Sequence, residues 1–575
     1  MDGTDPRGIG YNSAMIFLDY AIIAFFLLVT VALGFYFTKR SSGSMKDFFV
    51  SGRNLTWWLA GTSMVAASFS SDTPLAVTEF VVEHGIAGNW YWWSFAIQGM
   101  MVTFLYSKLW RRAEILTDVE FFEFRYSGKS AAFLRMFKAF FGAVLANSII
   151  MGWVILAMAT ILKITLGIDP VVSVVICIVL ALAYSMAGGL WGVAATDFLQ
   201  FIVAMVGSIA LTVFAVGKVG GLGALKEAVA ARPELDYLAF VPSPGEALFT
   251  TFLVFIFMQW WCASAADSGG GILVQRMLAS KSPKESFRAM LWFNTAHYAL
   301  RTWPWVLCGL CVVVLYPGLA SPKDGYPMLL MEVLPAGWKG LMVASLLGAF
   351  MSTVDSSLSY ASSYLTHDIY RRFLVKSRSE RHYVWVSRWA MVVAAVLAGL
   401  TSLMMTSVAK AWMFWTLLGA GAGLVKLIRW YWWRINAWSE IAAMGNSLVF
   451  SFLLNTFTKL PYWEKLVLNI VVSTAVWVTV TLLTRPVETE KLVQFYRKVR
   501  PSAFGWGPIA ALAGTDGEAP ISLRREALYW GVSVVFIYAL TFGLGKCILM
   551  EWATGAVMLV MAAASGWYLY RNALR

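Results

Sequence analysis

The feature that most constrains this chain is a succession of long apolar runs from one end to the other. They fall at about 14–38, 55–80, 88–108, 133–165, 169–187, 193–217, 248–274, 287–316, 339–365, 384–407, 411–430, 439–457, 463–484, 527–546 and 549–570. A helix crossing roughly 30 Å of hydrocarbon needs about 20 such residues, and its backbone polar groups must be satisfied within the element. Only a helical bundle fits. Of the 575 residues, 59% are apolar and 13% charged, with a mean hydropathy of +0.67, whereas soluble chains carry about a quarter charged residues. The expected fold is an all-α polytopic membrane protein with about fifteen transmembrane helices.

The net charge of +13 invites a nucleic-acid reading, but the excess Lys and Arg sits in short loops. Clusters follow the first run (Lys39, Arg40, Lys46), the third (Lys108, Arg111, Arg112) and the seventh (Arg276, Lys281, Lys284). The ninth (Arg371, Arg372, Lys376) and thirteenth (Arg485, Lys491, Arg497, Lys498, Arg500) behave alike. Every other loop is therefore positive, which marks the cytoplasmic side and puts the amino end outside and the carboxyl end inside. Met1 to Asn12 lacks a positive cluster and a small-residue cleavage pattern follows nowhere, so the first run reads as a retained helix.

Two runs are interrupted. The second reads Ser63-Met64-Val65-Ala66-Ala67-Ser68-Phe69-Ser70-Ser71-Asp72-Thr73-Pro74, and the seventh reads Ser264-Ala265-Ala266-Asp267-Ser268-Gly269-Gly270-Gly271. Serine clusters, a glycine triplet, a proline and acids at mid-membrane depth imply unwound backbone, which survives only around a protected cavity. Either break alone is better explained by close helix packing. As a pair five helices apart, they match two inverted five-helix repeats with a substrate site between their broken first helices.

In the ninth run, Ala349, Ser352, Thr353 and Ser356 share a helix face, with Asp355 beside them. Hydroxyls on an intact helix and carbonyls freed at a break suit a hard cation such as sodium, although the same hydroxyls also suit bonds within their own helix. Asp197, in Thr196-Asp197-Phe198-Leu199-Gln200, is a costly carboxylate in an apolar helix, about 2.5–3.5 kcal/mol at the membrane centre. It reads either as a functional group or as a cap near the helix start.

At these residues the chain resembles the sodium:solute symporter family over roughly 15–435. The resemblance rests on Phe49-Val50-Ser51-Gly52-Arg53, Gly188-Gly189 followed by Thr196-Asp197 and Gln200, Val274-Gln275-Arg276 with Ala279-Ser280-Lys281, and Ala349 to Ser356 with Asp368-Ile369-Tyr370. It implies a leucine-transporter-like core of two inverted five-helix repeats. The implied layout is an external N-terminus and extra helix (1–50), a first repeat (51–217), an external loop (218–247) and a second repeat (248–435). Accessory helices (436–484), a cytoplasmic linker lying near the lipid surface (485–526) and a C-terminal helix pair (527–575) follow. It further implies a sodium site from the carbonyls of Ala66, Phe69 and Ala349 and the hydroxyls of Ser352 and Thr353. A second sodium or proton site would use Asp197, Ser352, Asp355 and Ser356, where Asp355 departs from members with Ser.

The solute is less constrained. Ser70, Asp72, Trp93, Gln259, Trp260, Trp261 and Asp267 are the candidate contacts, with Trp90, Trp92, Trp303 and Trp305 nearby in a chain of 28 tryptophans. Aromatic faces stack on sugars or cover cations, but interfacial belts also claim membrane tryptophans. A sugar or sugar derivative is the first expectation; Asp72 or Asp267 would suit an amine, and Arg301 an acid. No phosphate loop or nucleophile elbow is present, so neither an ATP-driven pump nor an enzyme is expected. His84, His297, His367 and His382 lack ligand spacing, and the five cysteines form neither a disulfide framework nor a metal pattern. The reading is a monomeric, sodium-coupled symporter of the cell (plasma or inner) membrane, with sodium, a small polar solute and the bilayer as partners and no other cofactor. A proton-coupled carrier and a non-transporting nutrient sensor are the alternatives.

Overall fold

The computed structural model describes residues 15–41, 50–68, 70–263, 265–514 and 519–574. The stretch before the first run, Lys46, Phe49, Phe69 and Ser264 lie outside these residues, as do the side chains at 37–41 and 183–192. Among the described residues there is no strand. An isolated β bridge joins Leu55 and Ser280.

Every apolar run forms helix. After α1 (Phe17–Ser41) comes a broken pair, α2 (Trp57–Ala67) and α3 (Asp72–His84). Next are α4 (95–113), α5 (Gly128–Leu166) and α6 (Pro170–Val219). A second broken pair, α7 (Leu248–Cys262) and α8 (Gly271–Ala279), precedes α9 (Pro283–Leu315), α10 (Trp338–Leu374), α11 (Glu380–Ser402) and α12 (Val408–Ile428). The chain continues through α13 (Ala437–Phe457), α14 (Tyr462–Leu483), the short α15 (Thr489–Val499), α16 (Leu523–Ile548) and α17 (Trp552–Ala573). Ten helices among the described residues are long and apolar enough to cross a bilayer. The broken pairs fall outside that number because each half is too short alone.

One element differs from expectation. In place of two helices at 169–187 and 193–217, the backbone is helical throughout the 50 residues of α6. No proline interrupts it, and Gly188, Gly189 and Gly192 lower helix propensity without removing a hydrogen bond. Its start is fixed by Asp169, whose carboxylate accepts the Val171 amide at 2.8 Å, with Pro170 at the first helical position.

The hydroxyl-rich α10 is buried along nearly its whole length, packed against α1, α2 and α6. Its serines and threonines would find few partners in lipid. Asp19 of α1 caps it, accepting the Gly337 and Gly340 amides at 2.7 and 2.9 Å. Apolar side chains such as Trp385, Trp389, Val557 and Val560 point outward from α11 and α17, as a lipid-facing surface requires. Within 485–526, Leu492, Phe495, Tyr496 and Val499 of α15 are buried, and the helix packs on the end of α4. Lastly, the two broken pairs are tied together at one end, where the Leu55 amide donates to Ala279 O at 3.1 Å and the Lys281 amide to Leu55 O at 3.0 Å.

Candidate functional site

The α2–α3 break spans Ser68 to Ser71, leaving the last carbonyls of α2 without helical partners. Two carbonyls of this end, Val65 O and Ala67 O, and that of Ser68 in the break are met from other helices. Arg301 of α9 donates to Val65 O at 3.1 Å and Ser68 O at 2.8 Å, while Thr353 of α10 donates to Ala67 O at 3.1 Å. Arg301 also contacts His297 and lies 5.4 Å from the Trp305 ring centroid. A guanidinium at a helix carboxyl end complements its dipole. Arg301, read from sequence as a possible anion ligand, is thus engaged with the break itself.

The second break is shaped by its glycines. Gly269 and Gly270 have φ of +72° and +121°, which disfavour any side chain, and a Cβ on Gly271 would overlap the Tyr360 ring. The triplet therefore turns the chain and lets α8 start against α10.

Of the residues expected at the first sodium site, Ala66, Ala349, Ser352 and Thr353 are all buried on the adjoining helices α2 and α10. Thr353 reaches the broken end of α2. Ser352 instead donates to Asp197 Oδ1 at 2.5 Å, and Ser63 donates to Asp197 Oδ2 at 2.5 Å. Asp197 is no helix cap, because α6 begins 27 residues earlier at Pro170. Its charge is answered by Arg276 of α8, Nη2 to Oδ2 3.7 Å. The same guanidinium donates to Ser63 Oγ at 3.2 Å, Ser356 Oγ at 2.7 Å and Gln275 Oε1 at 3.0 Å, and lies in the field of Asp355. Two carboxylates and one guanidinium thus join α2, α6, α8 and α10 at a fully buried point. The sequence places Arg276 in the basic cluster after the seventh run and in a family landmark; the structure instead buries it fully in α8, because the helix resumes at Gly271 after the break and carries it inward.

Beside the first break lies a cavity of about 360 Å³, within the range of small-molecule sites. Ala67, Ser68 and Thr353 form part of its wall, with Ser70, Asp72 and Gln98. Eight of its residues are Phe, Tyr or Trp, including Trp92, Trp153, Trp412 and Trp415. Asp72, in the first turn of α3, accepts the Trp412 indole N–H at 3.2 Å. Five candidate contacts, Trp93, Gln259, Trp260, Trp261 and Asp267, are not in this wall. Trp93 packs against Trp90, Trp303 and Phe542. Gln259 spends its amide on Tyr91 O at 2.5 Å and Ser94 Oγ at 3.2 Å. Trp260 and Trp261 bond back within α7, to Ile256 O and Phe257 O at 2.6 Å each. For these four the cause is azimuth: Trp93, at the end of the short helix Trp90–Trp93 ahead of α4, and the three residues of α7 point away from the cavity.

Asp267 lines a neighbouring cavity of about 270 Å³. Its Oδ2 accepts Arg429 Nη2 and the Trp430 indole, both at 2.7 Å, and Arg429 continues to Glu440 of α13 at 3.1 Å. The unwound segment is thereby fastened to α12 and α13.

Two broken helices facing hydroxyl-bearing α10 across a cavity define a secondary transporter of the broken-helix type. The sodium:solute symporter family matches residues 48–445, and the chain belongs to that family. A sodium/glucose cotransporter of Vibrio parahaemolyticus is 25% identical over 499 residues, covering 81% of this chain and 91% of the relative. A sodium/mannose cotransporter of Bos taurus is 28% identical, covering 65% and 67%. In fold, the chain is similar to a substrate-bound, outward-open sodium-coupled sialic acid symporter, with a TM-score of 0.68 at 21% identity over 82% of this chain and 99% of that one. The family and these relatives are transporters, and the chain is a multi-pass, sodium-coupled symporter.

Proposed function

We propose that sodium binds at the first break, between Ala66, Phe69, Ala349, Ser352 and Thr353, and organises the adjacent cavity around a small polar solute that is imported by alternating access. The observation that carries this reading is a shared wall: Ala67, Ser68 and Thr353 border both the candidate ion site and the cavity. An ion that orders these atoms in one state favours solute binding in that state, and the coupling is reciprocal. One sodium moving down a tenfold gradient and about −100 mV releases about 3.7 kcal/mol, enough for roughly 500-fold accumulation of a neutral solute.

The relatives carry sugars, and an aromatic wall suits stacking on a sugar ring, so a sugar or sugar derivative is the solute class we propose. The basic loops support an amino end outside and a carboxyl end in the cytoplasm, and the two five-helix repeats divide at the 218–247 loop. Uptake of radiolabelled sugars into proteoliposomes tests the proposal. Uptake driven by an inward sodium gradient and abolished by Thr353→Ala supports it, and uptake equally fast in potassium overturns it. A proton-coupled reading draws on the buried cluster of Asp197, Asp355 and Arg276; dependence on a pH gradient at zero sodium would select it.

A further inference from the structure

The 360 Å³ cavity has an uneven inventory. Among the described residues of its wall, Asp72 is the only Asp, Glu, Lys or Arg, while eight residues are Phe, Tyr or Trp. Asp72 is 5% exposed. Its carboxylate accepts the Trp412 indole and is also within hydrogen-bonding reach of Trp153, so aromatic rings stand on two sides of it. The nearest opposing charge, Arg301, does not line the cavity and directs its donors to the Val65 and Ser68 carbonyls at the end of α2. Two further polar groups in the wall, Ser70 Oγ and Gln98 Nε2, are buried and have no hydrogen-bond partner in the protein. Buried polar groups ordinarily find partners, so these two are open to an incoming hydroxyl or carbonyl.

A buried carboxylate that is the sole acidic or basic charge among the described wall residues attracts a cation through its charge, to which the rings elsewhere in the wall add their π faces, and it offers a neutral hydroxyl much less. We propose that the solute carries an ammonium group seated on Asp72 within the aromatic wall, and hydroxyls that meet Ser70 and Gln98. An aminated sugar, or an amino alcohol of similar size, has that chemistry. This rests on the reading of the cavity as the solute site and replaces a neutral sugar with a cationic one.

The test is binding to the full-length purified protein, followed by thermal unfolding in saturating sodium, with two matched pairs of probes. Glucosamine is compared with glucose, and choline with its neutral isostere 3,3-dimethylbutanol. The expected result is tighter binding of at least one cation than of its neutral partner, by about tenfold. Asp72→Asn should reduce that preference to within about twofold, and Asp72→Glu should retain it. Equal binding within both pairs, no response to either cation, or an unchanged preference in Asp72→Asn overturns the proposal. If Asp72→Asn does not fold, the matched pairs in the unaltered protein decide alone. Stabilisation by sodium without solute is read alongside, by comparing solute-free protein in sodium with the same protein in potassium. Its absence counts against the coupling proposal and leaves the ammonium preference to be judged on its own.

Discussion

Arg276 has more to hold than its place in a short motif suggests. It answers Asp197 at 3.7 Å, donates to Ser356 at 2.7 Å and lies in the field of Asp355, all out of contact with water. Removing one partner of a buried pair leaves the other charge uncompensated, which costs about 3–5 kcal/mol. Asp197→Asn should therefore lower the melting temperature measured by differential scanning fluorimetry, as well as uptake; an unchanged melting temperature would mean that Asp355 alone holds the guanidinium. Gly271 makes an equally local demand. Because the Tyr360 ring occupies the space an added methyl would need, Gly271→Ala should destabilise the protein by about 1–3 kcal/mol. Tyr360→Leu in the same chain should recover part of that loss, since it removes the ring the methyl meets.

At the scale of an element, the breaks are held by charges reaching in from other helices. Arg301 closes the carboxyl end of α2, and Arg429 fastens the unwound segment after α7 to α12 and α13. Hydrogen bonds from a charged donor contribute about 1.5–3 kcal/mol. Arg301→Met should release the Val65 and Ser68 carbonyls, destabilise the protein by about 2 kcal/mol and raise the sodium concentration needed for half-maximal stabilisation. A sodium titration of the variant that overlays the unaltered protein would show that the break keeps its shape without the guanidinium. Arg429→Met should act on the other break, shifting the rate of uptake more than the sodium dependence.

For the whole molecule, the arrangement of basic loops predicts sidedness. The native cysteines at 177, 262, 308 and 311 are buried and Cys547 is half-buried, so a new surface thiol is read in a Cys547→Ser background. A cysteine replacing the exposed Ser243 should react with a membrane-impermeant maleimide on intact cells, whereas one replacing the exposed Ser377 should react only after permeabilisation; the reverse pattern would invert the topology. The helical class, the position of the helices apart from the unbroken α6, and the two interruptions were legible in the residue order. They follow from local rules: hydrocarbon demands about 20 apolar residues per crossing, and Gly269 and Gly270 sit where the backbone turns left-handed. The lining of the cavity was not legible. Trp153 and Trp412 stand in its wall while Trp93, Trp260 and Trp261 do not, and Arg276 meets Asp197 across 79 positions of chain. A soluble helix advertises its inner face by an apolar stripe, but a helix bordered by lipid on one side and protein on the other is apolar all round. Hydropathy therefore determined what crosses the membrane. Which face of each helix turns inward, and so which charges and rings meet, was decided only by the packing of the bundle.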